Sequence, residues 1–219
     1  MSDSEIFVER ELPMFPLGSV VLPGVALPLH VFEPRYRALI LTSLSSDRLF
    51  GSVLIERGSE VGGDDKRTSF GSVLRIIDAQ EDIDGRWLVT AIGVERIRVL
   101  EWLDDDPFPR AIIDTWPDAP CDADFPPLIQ LAISLCLEVG RRSESFEDLQ
   151  LALDLLDPDP TIASFQLLAL SALGPSDQFA GLCKASTSDR LSFLCDSLRD
   201  RQADLDALEA LNRRESPDE

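Results

Sequence analysis

The chain contains only two lysines, Lys66 and Lys184, a single histidine, His30, and no pair of cysteines in CxxC spacing. Each shortage closes off a class of chemistry. A phosphate-binding loop needs G-x-x-x-x-G-K-[ST], so that backbone amides and a lysine can hold the phosphates, and neither lysine follows such a glycine pair. ATP hydrolysis is excluded on that ground. Zinc would have to be held by His30 with scattered thiols and carboxylates, a poor ligand set, and no metal or other cofactor is expected. Nucleophilic peptidase chemistry needs Ser or Cys beside a base. Lys184 near Ser186 and Ser188 is the one arithmetic candidate for a Ser-Lys pair, and it reads as a surface lysine because no catalytic motif surrounds it. No catalytic residue is expected.

Long apolar runs are also missing. Leu128 to Val139 falls short of the roughly 20 residues that span a bilayer, so no membrane segment is predicted. Met1 to Arg10 opens with acids rather than with the basic segment and apolar core of a secretory leader, which places the protein in the cytoplasm. Cys121, Cys136, Cys183 and Cys195 read as reduced core residues, three of them set among Leu, Ala and Phe in helical patterns.

Acid is plentiful. Forty Asp and Glu against twenty Lys and Arg give a net charge of −20, which repels a phosphate backbone and argues against DNA or RNA as a partner. With so many carboxylates, paired acids at any spacing arise by chance and carry no catalytic information. The clusters Asp104 to Asp106 and Asp154, Asp157, Asp159 suit a turn and a helix boundary, and neither follows the twelve-residue calcium-loop pattern.

The first half of the chain is punctuated by Pro and Gly and carries short β-type runs, and the second half is rich in Leu and Ala at helical spacing. Strands are predicted at Leu12 to Phe15, Val25 to Leu29, Leu49 to Glu56, Phe70 to Gln80, Arg86 to Ile92, Val94 to Leu103 and Arg110 to Trp116, enough for a closed or half-closed barrel. Arg96, Ile97, Arg98 and Val99 alternate, which puts the two arginines on a wet sheet face. Glu81 to Gly85 fits a hairpin turn. The peptide FGSVL occurs at Phe50 to Leu54 and again at Phe70 to Leu74 with unmatched surroundings, and is read as coincidence.

Asp104 to Pro109 and Trp116 to Pro127 read as loops, the second as a lobe boundary. Beyond it, Leu128 to Val139 is apolar on nearly all sides, the pattern of a buried helix. Helices follow at Glu147 to Leu156 and Thr161 to Leu173, the latter capped by Asp159 and opened by Pro160, then a short one through Phe179. Ser186 and Asp189 supply a capping-box spacing before a long helix. Its apolar residues Leu191, Leu194, Cys195, Leu198, Leu205 and Leu208 form a stripe that Arg201 and Gln202 interrupt.

Two blocks resemble a known family. Leu12-Pro13-Met14-Phe15-Pro16-Leu17, then Val20 to Gly24, then Leu27-Pro28-Leu29-His30-Val31-Phe32-Glu33-Pro34-Arg35-Tyr36, is similar to the opening of Lon-type protease N-terminal domains. Further on, Phe70-Gly71, Asp84-Gly85-Arg86 and Ile92-Gly93-Val94-Glu95-Arg96-Ile97-Arg98-Val99 resemble that family's hairpin and its Gly-x-x-Arg strand. Asp177-Gln178-Phe179 and Arg190 to Leu194 are similar to its helical part more loosely, so the resemblance runs over roughly residues 10 to 200.

The resemblance implies an α+β fold, a PUA-like β-barrel lobe over residues 10–117 followed by a C-terminal α-helical bundle lobe over 118–213, with 1–9 and 214–219 as tails. In full-length Lon proteases this region precedes an ATPase and a Ser-Lys peptidase and helps to capture unfolded or damaged polypeptides. The present chain is expected to be a stand-alone, non-catalytic member, an adaptor or quality-control factor whose partners are unfolded polypeptides and a protease or chaperone.

Pro13, Pro16, Pro23, Pro28, Gly24, Pro34, Arg35 and Tyr36 each have an adequate structural role. Substrate-binding candidates are Arg96 and Arg98 together with Arg35 and Tyr36. Two other readings stand beside this one. A PUA-like barrel mouth would suit a small molecule or modified nucleotide, and the last helix would suit oligomer assembly.

Overall fold

A computed structural model describes residues 9–57, 66–121, 124–141 and 145–215. The chain divides into two compact units, Met1–Pro117 and Asp118–Glu219. The expected tail at 1–9 lies, apart from Glu9, outside the described residues, as do residues 216–219.

The first unit is an antiparallel sheet with one helix. Its elements are β1 (Arg10–Pro13), β2 (Ala26–Val31), α1 (Pro34–Leu44), β3 (Leu49–Arg57), β4 (Lys66–Glu81), β5 (Trp87–Leu103) and β6 (Arg110–Thr115). The strand order is β1-β6-β5-β4-β3, and β2 pairs with β5 off that path. Beyond β1 the chain crosses to β3. Phe15 donates its N–H to the Gly51 carbonyl at 2.7 Å, Leu17 to that of Val53 at 3.0 Å, and Ile55 back to that of Leu17 at 2.8 Å. These bonds join the segment after β1 to β3 and close the sheet on itself, so that the edge of β3 is used along this stretch.

Two apolar clusters fill the unit. Leu12, Met14, Val53, Val73, Ile97, Ala111 and Ile113 form one. Phe15, Tyr36, Leu39, Ile40, Phe50, Leu74, Ile76 and Val89 form the other, where α1 lays its buried face on the sheet.

The strands predicted at Arg86 to Ile92 and Val94 to Leu103 are one continuous strand, β5. Gly93, between the two expected runs, does not interrupt the strand and is a place of close approach. A Cβ there would lie 2.2 Å from the Leu22 carbonyl oxygen, because the turn carrying Gly24, at φ +74°, folds onto it. Gly24 N–H donates to the Gly93 carbonyl at 2.9 Å, and Gly93 N–H donates to that of Val25 at 3.0 Å. Two residues thus oppose one, a β-bulge that needs glycine at its left-handed position.

The two FGSVL copies lie against each other. In the β3–β4 ladder Phe50 faces Leu74, Gly51 faces Val73, Ser52 faces Ser72 and Val53 faces Gly71. The two copies, read as a coincidence of sequence, thus meet antiparallel over four pairs that include the two serines. Ser72 Oγ also donates to the Val21 carbonyl at 2.7 Å, tying the segment before β2 to the sheet.

The second unit is helical: α2 (Phe125–Gly140), α3 (Phe146–Leu153), α4 (Pro160–Leu170), α5 (Pro175–Leu182) and α6 (Thr187–Glu215). Asp159 caps α4 by accepting from Thr161 N–H at 2.8 Å. Ser186 and Asp189 form the expected capping box, with Asp189 N–H donating to Ser186 Oγ and that hydroxyl donating to the Asp189 carboxylate. The helix predicted to be buried on nearly all sides, α2, buries Ala132, Leu135, Cys136 and Val139 but leaves Leu131 exposed. On α6, Leu191, Leu194, Cys195 and Leu198 are core, whereas Leu208 and Leu211 are exposed. The stripe changes from core to surface where Arg201 and Gln202 interrupt it.

Arg190 on α6 is wholly buried. Its Nη2 and Nη1 donate to the two carboxylate oxygens of Asp118, its Nε donates to Ser164 Oγ at 2.8 Å, and its Cζ lies 3.5 Å from the Phe165 ring centroid. Burial pulls its pKa down, while the hydrogen bond and charge of Asp118 act against that shift. Removing one partner of such a pair strands a buried charge at a cost of about 3–5 kcal/mol.

The close approach at Gly93 makes a testable statement. Gly93→Ala will lower the unfolding free energy by about 1–3 kcal/mol by overpacking against backbone, read as a lower urea midpoint at unchanged slope. Gly174→Ala, where a Cβ meets nothing within 4 Å, will shift it by no more than about 0.5 kcal/mol.

Candidate functional site

Pro34 sits at the first position of α1 and its fixed φ starts the helix directly after β2. The Glu33 side chain makes no capping bond there and accepts instead from Arg35 Nε at 3.1 Å. The next residue, Tyr36, is 3% exposed and stacks on Phe15 with ring centroids 3.9 Å apart and planes within 8°. The Arg35 guanidinium carbon stands 4.5 Å from the Tyr36 centroid. Aromatic stacking and the cation together hold the start of α1 against the segment that follows β1.

A cavity of about 170 Å³ opens at this point, lined by Phe15, Leu17, Pro28, His30, Glu33 and Tyr36 among others. Its walls are the outer side of β2 and the Phe15 to Leu17 stretch. Beside it the surface is apolar: Phe32 is 52% exposed and Leu88, directly across from His30 in the ladder, is 57% exposed. His30 is exposed on β2 with its ring 6.2 Å from that of Phe32.

The four sequence candidates separate here. Tyr36 lines the cavity and Arg35 packs on it. Arg96 and Arg98 lie elsewhere on the barrel, on the part of β5 that pairs with β4 and β6. Arg96, expected on a wet face, is 3% exposed, because Trp116 at the end of β6 lies over it with its ring centroid 4.3 Å from Arg96 Cζ. The Trp116 N–H donates to the Arg96 carbonyl at 2.9 Å, which fixes that cover. Arg98 remains half-exposed and donates from Nη2 to the buried Asp114 carboxylate at 2.8 Å, its cross-strand neighbour. The pattern of alternation shows which residues share a face and cannot show what folds over them.

Phe32 and Leu88 were missed as candidates. Their signal lay in the sequence as apolar residues at the polar phase of β2 and β5, visible only once the strand faces are known.

In the helical unit Lys184 stands 4.2 Å from the Phe193 ring centroid, and Ser186 serves as the cap of α6. A larger cavity of about 440 Å³ lies among Cys136, Leu149, Ala152, Ala169 and Leu170. The Cys136 thiol is pushed up to about 12 by burial, with Cys195 adding to the shift, so it stays protonated at neutral pH. The core position expected for all four cysteines holds for Cys136 and Cys195 and is corrected for the other two, since Cys121 is exposed and Cys183 is only partly buried. Among the described residues no three His, Cys, Asp or Glu side chains converge to hold a metal ion, and no helix is long and apolar enough to cross a membrane.

Residues 11–200 match the family described as the ATP-dependent protease La (LON) substrate-binding domain. The chain belongs to the LON substrate-binding domain family. It is 30% identical over 127 residues to a LON peptidase N-terminal domain and RING finger protein of Schizosaccharomyces pombe, covering 52% of this chain and 26% of that one. A Lon protease of Koribacter versatilis is 28% identical over 189 residues, covering 83% of this chain and 23% of that protein. The LON domain thus spans about a quarter of these relatives' length. Among solved structures, a Lon N-terminal domain protein from Xanthomonas campestris superposes with a TM-score of 0.64 at 27% identity, over 84% of this chain and 96% of that one. The N-terminal domain of a Mycobacterium avium complex Lon protease shares the fold, with a TM-score of 0.65 at 19% identity over 87% and 99% of the two chains. The expected α+β fold, a six-stranded antiparallel sheet followed by helices, is the fold observed.

Core and surface at this site should part company on mutation. Tyr36→Ala will cost about 3–5 kcal/mol, as for truncation of a buried aromatic, and Phe32→Ser will change stability by no more than about 0.5 kcal/mol, both read from urea unfolding curves.

Proposed function

We propose that this LON domain is a non-catalytic recognition module that holds exposed apolar segments of unfolded or damaged polypeptides, acting as an adaptor or quality-control factor for a protease or chaperone. The observation that carries the reading is the apolar surface of Pro28, Phe32 and Leu88 beside the Tyr36 cavity, in a domain whose family is described by substrate binding. Exposed Phe and Leu grouped on a sheet surface favour contact with apolar chains. Tyr36 shapes the cavity and Arg35 positions it, and Arg96 and Arg98 serve the barrel through Trp116 and Asp114.

A small-molecule or modified-nucleotide role for the barrel is disfavoured by size. The cavity beside Tyr36, about 170 Å³, is below the about 300–1,000 Å³ of ligand pockets.

Fluorescence anisotropy of a labelled, permanently unfolded polypeptide, run beside its folded counterpart at two salt concentrations, tests the reading. Saturable binding of the unfolded form alone, changing less than about two-fold with salt because apolar contacts are not screened, is the expected result. Phe32→Ser will weaken it at least about five-fold, or about 1 kcal/mol by the relation of affinity to free energy. Equal affinity for the folded form, or none for either, sinks the reading.

A second reading rests on α6, where Leu208 and Leu211 are each 55% exposed. Such a stripe suits assembly of copies through the last helix. Truncation after Arg199 spares the core residues Leu191 to Leu198, and light scattering will show loss of oligomers with the fold retained if this reading holds. An unchanged mass removes it.

A further inference from the structure

The backbone of β2 is used on one side only. Gly93 N–H donates to the Val25 carbonyl, and the antiparallel register then makes Leu27–Ala91, Leu29–Val89 and Val31–Trp87 the hydrogen-bonded pairs with β5. Ala26, Pro28 and His30 therefore turn their backbone groups away from the sheet. Pro28 fits that phase independently, since a proline inside a ladder is tolerated where its missing N–H faces outward. Among the described residues nothing pairs with the Ala26 and His30 N–H groups or with the Ala26, Pro28 and His30 carbonyls. Across the cavity, Phe15 and Leu17 spend their N–H groups on Gly51 and Val53, so that wall does not supply the missing partner.

We infer that β2 is a strand-addition edge: an extended segment of an unfolded polypeptide pairs with Ala26, Pro28 and His30 and places an apolar side chain in the Tyr36 cavity. The inference rests on the polypeptide-recognition reading above and adds how the chain is held. An unpaired edge reads backbone, which an extended segment offers along its length and a folded chain has mostly spent in its own helices and sheets. The cavity of about 170 Å³ between Leu17, Pro28 and Tyr36 selects for one apolar side chain among those that point inward at every second residue.

Charge sets the flanks of the occupant. The Val31 end of β2 lies in register with Trp87 and, one strand further, Glu81, next to the exposed Asp82 of the hairpin. With these acids at that end and a net charge of −20, the complementary segment is apolar at alternate positions and carries lysine or arginine at its end.

The test uses a labelled peptide of about eight residues alternating Val and Thr with Lys at each end, a segment long enough to span a strand, beside the permanently unfolded polypeptide. Amide hydrogen exchange of the full chain is followed residue by residue with and without each probe. Binding is expected to slow exchange at Ala26 and His30 at least ten-fold, with little change at Leu27, Leu29 and Val31, which the ladder already protects. His30→Pro, which removes an outward N–H and leaves the pairs with β5 intact, is expected to keep the thermal transition and weaken both probes about ten-fold, the loss of one hydrogen bond and its geometry.

Saturable binding of either probe with unprotected Ala26 and His30 amides overturns strand addition and leaves polypeptide recognition standing. No binding of either probe overturns both. Protection of the same amides in the protein alone, with a doubled mass by light scattering, assigns the edge to a second copy and overturns the inference as stated.

Discussion

Everything in the barrel is arranged around the length of β5. Its 17 residues give one edge to β4 nearly throughout and divide the other between β2, which takes Trp87 to Ile92, and β6, which takes Ile97 to Leu103. The changeover comes at Gly93, where the chain before β2 folds so closely that no side chain fits. Because β2 and β6 share that edge end to end, β2 gains no second neighbour from β6. The closure bonds run instead through Phe15 and Leu17 to β3, and among the described residues β2 keeps an unused side. A binding edge is in this sense a by-product of how one long strand is shared.

Much of this was legible from residue pattern. The runs at Leu49 to Glu56 and Arg110 to Trp116 are β3 and β6 to within a residue, and Pro34, Asp159 with Pro160, and Ser186 with Asp189 mark helix starts where they occur. Local chemistry decides these, and it is written locally. What escaped were features that depend on a distant segment. The close approach at Gly93 shows only once Leu22 is placed on it, and Arg96 looks exposed until Trp116 is placed over it. That the two FGSVL copies are neighbours shows only once β3 and β4 are paired. The Tyr36 half of the candidate site was visible in the family-like run before α1, whereas Phe32 and Leu88 needed strand register to be seen as neighbours.

The helical unit depends on a different device. Arg190 brings a full charge into a core of Leu, Ala and Phe, and is tolerable there because Asp118, Ser164 and the Phe165 ring each meet part of the guanidinium. Such an arrangement fixes α6 against α4 and against the segment at Asp118 in one orientation, since a charged fork has few acceptable positions where an aliphatic side chain would have several. Among the described side chains beyond Leu198 none is buried as Arg190 is, and Leu208 and Leu211 turn outward.

The self-pairing of FGSVL has a consequence for folding rather than for binding. Each glycine in one copy faces a valine in the other, so the segment is its own complement. A stretch of chain with that property cannot distinguish its partner within the molecule from the same stretch in a neighbour, and only the short connection between β3 and β4 gives the correct choice its advantage. At high concentration during synthesis or refolding, that advantage shrinks, and crossed assemblies in which β3 of one chain pairs with β4 of another become a natural competing product. A domain whose family is described by binding substrates thus carries in its own sheet a small instance of the misassembly hazard that unfolded chains present.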